Sequence, residues 1–278
     1  MKFSKILFGT AGIPLSTEDR NTLEGIKQVN SLGLDAMEIE FVHSVNIKKE
    51  NTPHVKSAAE KNSVVLSCHG QYYINLNAVE KEKIEASKKR ILHAAEIAND
   101  CGVFSLTFHS AFYLGQEPKK VYETVKANLK EIVNILKDKG NPIWIRPELT
   151  GKPTQFGDIY ELTKLSTEIE QIMPCIDFSH SHARSGGKYN SYEEFASILE
   201  EIEKTLGRDG LENMHIHIAG IEYSEKGERN HLNLEQSDLN YRDLMKVFRD
   251  FKIKGVVISE SPNIEGDALL MKGIYEKE

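Results

Sequence analysis

Histidine and carboxylate side chains stand at the ends of short apolar runs throughout this chain. Glu38 and Glu40 lie at the end of AMEIEF (36–41), His69 ends VVLSCH (64–69), and His109 ends FSLTFH (104–109). Glu148 ends IWIRPE (143–148), and Asp177 lies near the end of MPCIDF (173–178), with His180 shortly after it. His215 and His217 alternate within MHIHIAG (214–220), and Glu260 ends VVISE (256–260). Desolvating an unpaired polar group is unfavourable, so a recurrent placement of this kind points to a shared task. Imidazole with carboxylate is the donor set of zinc, manganese or iron rather than calcium. The set exceeds the protein ligands that one zinc takes, which implies more than one ion. Two ions held close together suit in-line attack on a phosphodiester, one activating water and the other stabilising the leaving oxygen. Residues two apart on a strand face the same way, so His215 and His217 are both candidates. His182 is likewise a second choice beside His180.

The apolar runs must be the elements that position these groups. Eight of them recur, beginning with ILFGT (6–10), and polar segments with helical periodicity separate them. Segments 80–102 and 119–140 carry apolar residues at i, i+3, i+4 and i+7 and end in Gly102 and Gly140, the usual residue just past a helix. LSTED (15–19) places Ser16 or Thr17 as the cap of the first helix. Near-continuous apolar strands alternating with amphipathic helices mean a parallel sheet covered by helices. Eight such units predict an α/β protein with one (β/α)8 TIM barrel over residues 1–278. Neither GxGxxG after the first strand nor GxxxxGK[ST] is present, which removes the usual reasons for an open nucleotide-binding sheet.

Composition narrows the setting. The 278 residues carry 35 Lys+Arg against 42 Asp+Glu, a formal net charge of −7. That balance excludes a protein holding nucleic acid by bulk positive charge. No run is long enough for a membrane helix, and the short apolar run in MKFSKILFGTAG does not read as an export signal. Cys68, Cys101 and Cys175 form no CxxC and cannot all pair, which suits a reducing cytoplasm.

The motifs HGQYYINL (69–76), FHS (108–110), RPELTG (146–151), CIDFSH (175–180), IHI (216–218), GERNH (227–231) and SESPN (259–263) run in the order and spacing of endonuclease IV. Over essentially its whole length the chain resembles this apurinic/apyrimidinic endonuclease family, which has a xylose-isomerase-like barrel. The resemblance implies a hydrolase that cuts damaged double-stranded DNA on the 5′ side of abasic sites. Two or three Zn2+ ions are implied, with Mn2+ as a substitute. By motif, His69, His109 and Glu148 are similar to the ligands of a first zinc. Glu148, Asp177, His217 and Glu260 are similar to those of a second, with Glu148 bridging. His180 is similar to the first ligand of a third. Glu148 and Glu260 are the implied catalytic carboxylates, Glu260 also accepting a proton. Tyr72 and Tyr73 lie where the family inserts side chains at the abasic site, and exposed aromatics there can stack on bases. A monomer is expected.

Two positions depart from the family pattern. Its third zinc takes an Asp and a His two residues apart. Here Glu228, Arg229 and Asn230 are followed by His231 one step late, so the third ion is either held by Glu228 and His231 or absent. The loop EFVHSVNIKKEN (40–51) lacks the family's DNA-contacting sequence, with Lys48 and Lys49 as substitutes. HARSGG (182–187) reads as a glycine-rich turn with Arg184 facing a phosphate or a carboxylate. His54 and His93 fall inside helical segments and read as surface or packing residues, and His43 lies in a loop.

The rival reading is a sugar isomerase or epimerase with one divalent metal. Its quartet at the ends of strands five to eight would be the same Glu148, Asp177, His217 and Glu260. The additional imidazoles of His69, His109 and His180 separate the two readings. Bound ions also soften the acidic balance, since two divalent ions (+4) move −7 to −3 and three (+6) move it to −1.

Overall fold

The computed structural model describes residues 3–277. Eight strands form one parallel sheet: β1 (Ile6–Ala11), β2 (Ala36–Glu40), β3 (Val65–His69), β4 (Ser105–Phe108), β5 (Trp144–Pro147), β6 (Cys175–Asp177), β7 (Met214–Ile218) and β8 (Gly255–Ser259). They lie in the order β5-β4-β3-β2-β1-β8-β7-β6. The two outer strands then meet through parallel bridges at Ile145↔Ile172 and Glu148↔Cys175, and the Leu149 amide donates to the Cys175 carbonyl at 3.0 Å. The sheet thereby closes on itself as the expected barrel, and its seam lies beside Glu148.

Among the described residues ten α-helices accompany the strands: α1 (Thr22–Ser31), α2 (Thr52–Lys61), α3 (Lys81–Asp100), α4 (Pro118–Asp138), α5 (Ile159–Glu168), α6 (Phe178–Arg184), α7 (Tyr192–Leu206), α8 (Arg208–Glu212), α9 (Tyr241–Asp250) and α10 (Glu265–Lys277). Helix α4 shows how they pack. Val121, Val125, Leu129, Ile132, Val133 and Leu136 are buried at helical spacing, and the chain turns off at Gly140 with φ +66°. No helix among the described residues is long and apolar enough to cross a membrane. The three cysteines are buried and unpaired.

The start of α1 differs from the expectation. Its cap is Asn21, whose side chain accepts from the Leu23 and Glu24 amides at 3.1 Å, not Ser16 or Thr17. The amides of Leu15 and Ser16 are instead held by the Glu265 carboxylate at the start of α10, both at 2.8 Å. A distant acid has claimed the segment that local sequence offers as a cap.

Candidate metal centre

Glu148 is the hub of the C-terminal mouth of the barrel. It is 1 % exposed and follows β5, so its backbone is fixed on both sides by neighbouring strands. Its Oε2 lies 3.2 Å from His69 Nε2, at the end of β3, and 3.5 Å from His109 Nε2, just after β4. Its Oε1 lies 3.3 Å from His217 Nδ1 on β7 and 3.4 Å from His180 Nδ1 on α6. His217 Nδ1 is also 3.3 Å from Glu260 Oε1, just after β8. Two donor sets result, His69–His109–Glu148 and Glu148–Asp177–His217–Glu260, with the donor atoms of each within 4.8 Å of one another.

The spacing is that of ligands around an ion. Bonds of 2.0–2.1 Å to a tetrahedral zinc place neighbouring donor atoms about 3.3 Å apart. A ligating imidazole also gives its other N–H to a carbonyl or carboxylate. His69 Nδ1 donates to Gly70 O (2.8 Å), His180 Nδ1 to Leu149 O (3.0 Å) and His231 Nδ1 to Glu260 O (3.2 Å), so Nε2 is the ring atom each turns to the donor sets. Asp177 Oδ2 and His231 Nε2 are buried without a hydrogen-bond partner among the described residues, as free ligand atoms would be. The chemistry and spacing of the donors therefore fit divalent ions.

The charges are strongly coupled. Burial opposes ionisation of Glu148, but the imidazoles of His109, His217 and His180 hold it well below the usual carboxylate range. Burial likewise opposes protonation of His69, yet Glu148 and Glu40 carry it up to about 10. Asp177 is pushed up to about 6 by burial, with Glu260 and Glu148 adding to the effect against His180. Cys175 lies within reach of His215 and His217, and burial pushes its thiol up to about 12.

A third donor set, His180–Glu228–His231, sits beside the first two. Its position rests on an antiparallel ribbon, Gly220–Ser224 against Gly227–Leu232. Glu222 pairs with Asn230 and Tyr223 with Glu228, so Arg229 is an extra residue with no opposite number. Strand alternation alone would turn residues three apart to opposite faces. The bulge absorbs the extra step and brings Glu228 and His231 together. The loop after β5 presses against the same set. A Cβ on Gly151 would lie 2.7 Å from Glu228 Oε2 and 2.9 Å from His180 Cδ2. The Glu228 amide donates to Gly151 O at 2.9 Å, so the glycine of RPELTG is what admits the ribbon.

A family model described as the xylose isomerase-like TIM barrel matches residues 26–274. The chain belongs to that family. An uncharacterized protein of Methanocaldococcus jannaschii is 44 % identical over 272 residues, covering 98 % of this chain and 97 % of the relative. Among solved structures, endonuclease IV from Thermus thermophilus superimposes with a TM-score of 0.73 at 19 % identity, covering 96 % of this chain and 97 % of the other. A D-tagatose 3-epimerase-like protein does so with a TM-score of 0.72 at 17 % identity, covering 96 % of each chain. At those identities the likeness is one of fold.

The remaining sequence candidates take definite places in this xylose isomerase-like barrel. His182 turns away from the donor sets, with Nδ1 2.8 Å from Lys188 O and Nε2 3.1 Å from Asp238 Oδ1. Arg184 is committed to the loop after β5, where Nη1 donates to the carbonyls of Lys152 (2.6 Å) and Gln155 (2.9 Å) and to Thr150 Oγ1 (3.0 Å). Its hydrogen bonds in the structure are with that loop. Tyr72 and Tyr73 are 57 % and 62 % exposed, and the Tyr72 ring stands edge-on to His69 and His43. Lys49 is paired with Glu96 at 2.6 Å, while His54 and His93 are exposed on α2 and α3. His215 is fully buried beside Ser105 and Glu38, grouped with Cys175 and His217 and outside the three sets described above.

Glu38 and Glu40 stand at a strand end, and no motif gives them a task. Glu38 lies within 2.9 Å of both His215 and His217. Glu40 is pushed up to about 8 by burial and by the nearby charge of Glu38. The available signal was the alternation in AMEIE, which puts both carboxylates on one face of a strand whose other neighbours are apolar.

Proposed function

We propose that this barrel is a zinc-dependent endonuclease that hydrolyses the phosphodiester 5′ to abasic sites in duplex DNA. The carrying observation is the gathering of His69, His109, His180, Glu228 and His231 around the Glu148–Asp177–His217–Glu260 quartet. An epimerase working with one ion has use for the quartet alone, whereas three adjoining sets suit a phosphate ester that needs charge stabilised at several oxygens. The fold is shared by both activities and does not decide between them.

Zinc at these sets would supply Lewis-acid polarisation of phosphoryl oxygens and acidify water near neutral pH. The side chains divide the remaining work. Glu148, anchored beside the barrel seam, holds the first two sets at a fixed separation. Glu260 is the more open carboxylate of the quartet, with its side chain 13 % exposed, and is placed to accept a proton from the attacking water. His180, Glu228 and His231 lie on the ribbon side, where a scissile phosphate would contact the third set. Tyr72, beside His69, and its exposed neighbour Tyr73 would stack on bases flanking a flipped abasic nucleotide. Such an enzyme reads one damaged phosphate at its metal centre, so an acidic chain and a DNA substrate are compatible.

The test is incision of a labelled duplex carrying one abasic site by zinc-loaded protein. A single cut 5′ to the lesion, lost in Glu148→Ala, supports the reading. An intact duplex together with interconversion of ketoses and one ion per chain would replace it with the epimerase.

A further inference from the structure

One further donor set lies inside the barrel, below the second metal set, and shares only His217 with it. Cys175 on β6 and His215 and His217 on β7 bring ligand atoms within 4.8 Å of one another, and all three side chains are fully buried. Neighbouring parallel strands create the juxtaposition, since Cys175 is the register partner of His215 and Asp177 that of His217. Residues two apart on a strand face the same way, so the four side chains form two tiers on one inner surface. The upper tier, Asp177 and His217, belongs to the second set. The lower tier offers a thiol and an imidazole for which the proposed DNA cleavage has no use.

Unpartnered atoms mark the same place. Across the interior stands Glu38 on β2, fully buried, with Oε2 2.8 Å from His215 Nε2 and Oε1 2.9 Å from His217 Nε2. These short approaches are not hydrogen bonds. Glu38 Oε1, His215 Nε2 and His217 Nε2 are all buried without a hydrogen-bond partner among the described residues. Buried polar atoms are ordinarily paired, and three orphans on one interior space point to a ligand that they would share. The far sides of the same groups are anchored. Ser67 donates to Glu38 Oε2 at 2.7 Å, and Ser105 meets His215 Nδ1 at 2.8 Å. His217 Nδ1 lies 3.3 Å from Glu148 Oε1 in the second set, so Nε2 is its inward atom. A sulfur donor with two imidazoles suits zinc and not magnesium or calcium, which take oxygen.

We propose that Cys175, His215 and His217 hold a further zinc ion inside the barrel, with Glu38 facing it from β2 as the carboxylate that balances its charge. Buried away from the mouth, this ion is structural and ties β6 and β7 together beneath the second set. Its binding displaces the proton of the Cys175 thiol, and a filled second set takes the ring proton of His217, which then ligates through both nitrogens. The inference concerns which ions the chain holds and is independent of what it cuts.

The experiment saturates the full chain with cobalt and records its near-ultraviolet spectrum. The other three sets contain only nitrogen and oxygen donors, so a thiolate-to-cobalt charge-transfer band reads this set alone. The wild type should show the band. Cys175→Ser should lose it together with one ion per chain, whereas Cys68→Ser and Cys101→Ser should keep both. A saturated wild type without the band, or a band that survives Cys175→Ser, overturns the proposal and leaves the cluster as polar packing. Should Cys175→Ser not fold, X-ray absorption at the zinc edge of the unmodified chain decides. A sulfur shell at about 2.3 Å, retained in Cys68→Ser and Cys101→Ser, supports the site, and nitrogen and oxygen shells alone overturn it. Neither readout involves DNA, so failure of the nuclease reading and failure of this one are separable.

Discussion

Glu228 and His231 are three residues apart on one strand of a ribbon, yet both reach the His180 imidazole, because Arg229 bulges out between them. The third donor set therefore survives a spacing that would ordinarily separate its members. Deleting Arg229 should leave that set intact, since Glu228 and the histidine would then share a face by simple alternation. Inserting an alanine between Asn230 and His231 should turn the histidine away. Atomic emission on purified protein should give one zinc fewer per chain for the insertion and an unchanged content for the deletion.

Gly151 admits the ribbon to the third set. Gly151→Ala drives a methyl group into the Glu228 and His180 side chains, and overpacking of this kind costs typically about 1–3 kcal/mol. The expected outcome is loss of the third ion with a barrel that still melts cooperatively. Calorimetry and metal content, measured on the same sample, check both halves.

The proposed function makes Glu260 the carboxylate that takes a proton. Glu260→Gln should lower the rate of abasic-site incision by about 10²–10⁴-fold, the range for losing a general base. Single-turnover cleavage under saturating enzyme separates this from weaker DNA binding. Tyr72→Ala should do the opposite, weakening binding by about 1–3 kcal/mol per lost stack while sparing the metal content. Fluorescence anisotropy with an abasic duplex reads that loss directly.

Metal loading should release protons. His69 sits at about 10, and the charges of Asp177 and Glu148 hold His180 well above its ordinary value, so the metal-free rings are protonated at pH 7. An incoming ion must displace those protons, and its apparent affinity rises as the pH is raised from 6 towards 9. Titration calorimetry in two buffers of different ionisation heat counts the protons. Stability of the metal-free chain runs the other way. A ring whose pKa rises from 6.5 to about 10 on folding contributes stability fully below 6.5 and loses it as pH climbs through 10. Melting temperature without metal should therefore fall across that window, and zinc should remove the fall.

Much of the centre was legible because barrels carry their chemistry at strand ends. His69, His109, Glu148, Asp177, His217 and Glu260 each close or nearly close an apolar run, and the structure gathers all six. What escaped depends on contacts that no local pattern records. The cap of α1 is Asn21, while the amides of Leu15 and Ser16 go to Glu265, 250 residues from Leu15. Spacing alone left the third set open, because a bulge is a property of strand pairing and not of one strand. Glu38 was visible as a strand-end acid, but its contacts with His215 and His217 come from β7, which reaches it only through the closed interior. The choice between His215 and His217 has the same origin: two residues on one face sit at different depths, one against Ser105 and the other against Glu148.

The barrel closes where Glu148 faces Cys175, through two bridges between its first-half and second-half edges. Donors from β3 and β4 lie on one side of that seam and donors from β6, α6, β7 and β8 on the other, with Glu148 reaching both. A half-made chain leaving the ribosome thus owns no complete donor set from the second half and cannot capture its full complement of ions. The first donor set is complete by residue 148, whereas the other two wait for residues beyond Asp177, so the order of synthesis is also the order in which the sets are assembled.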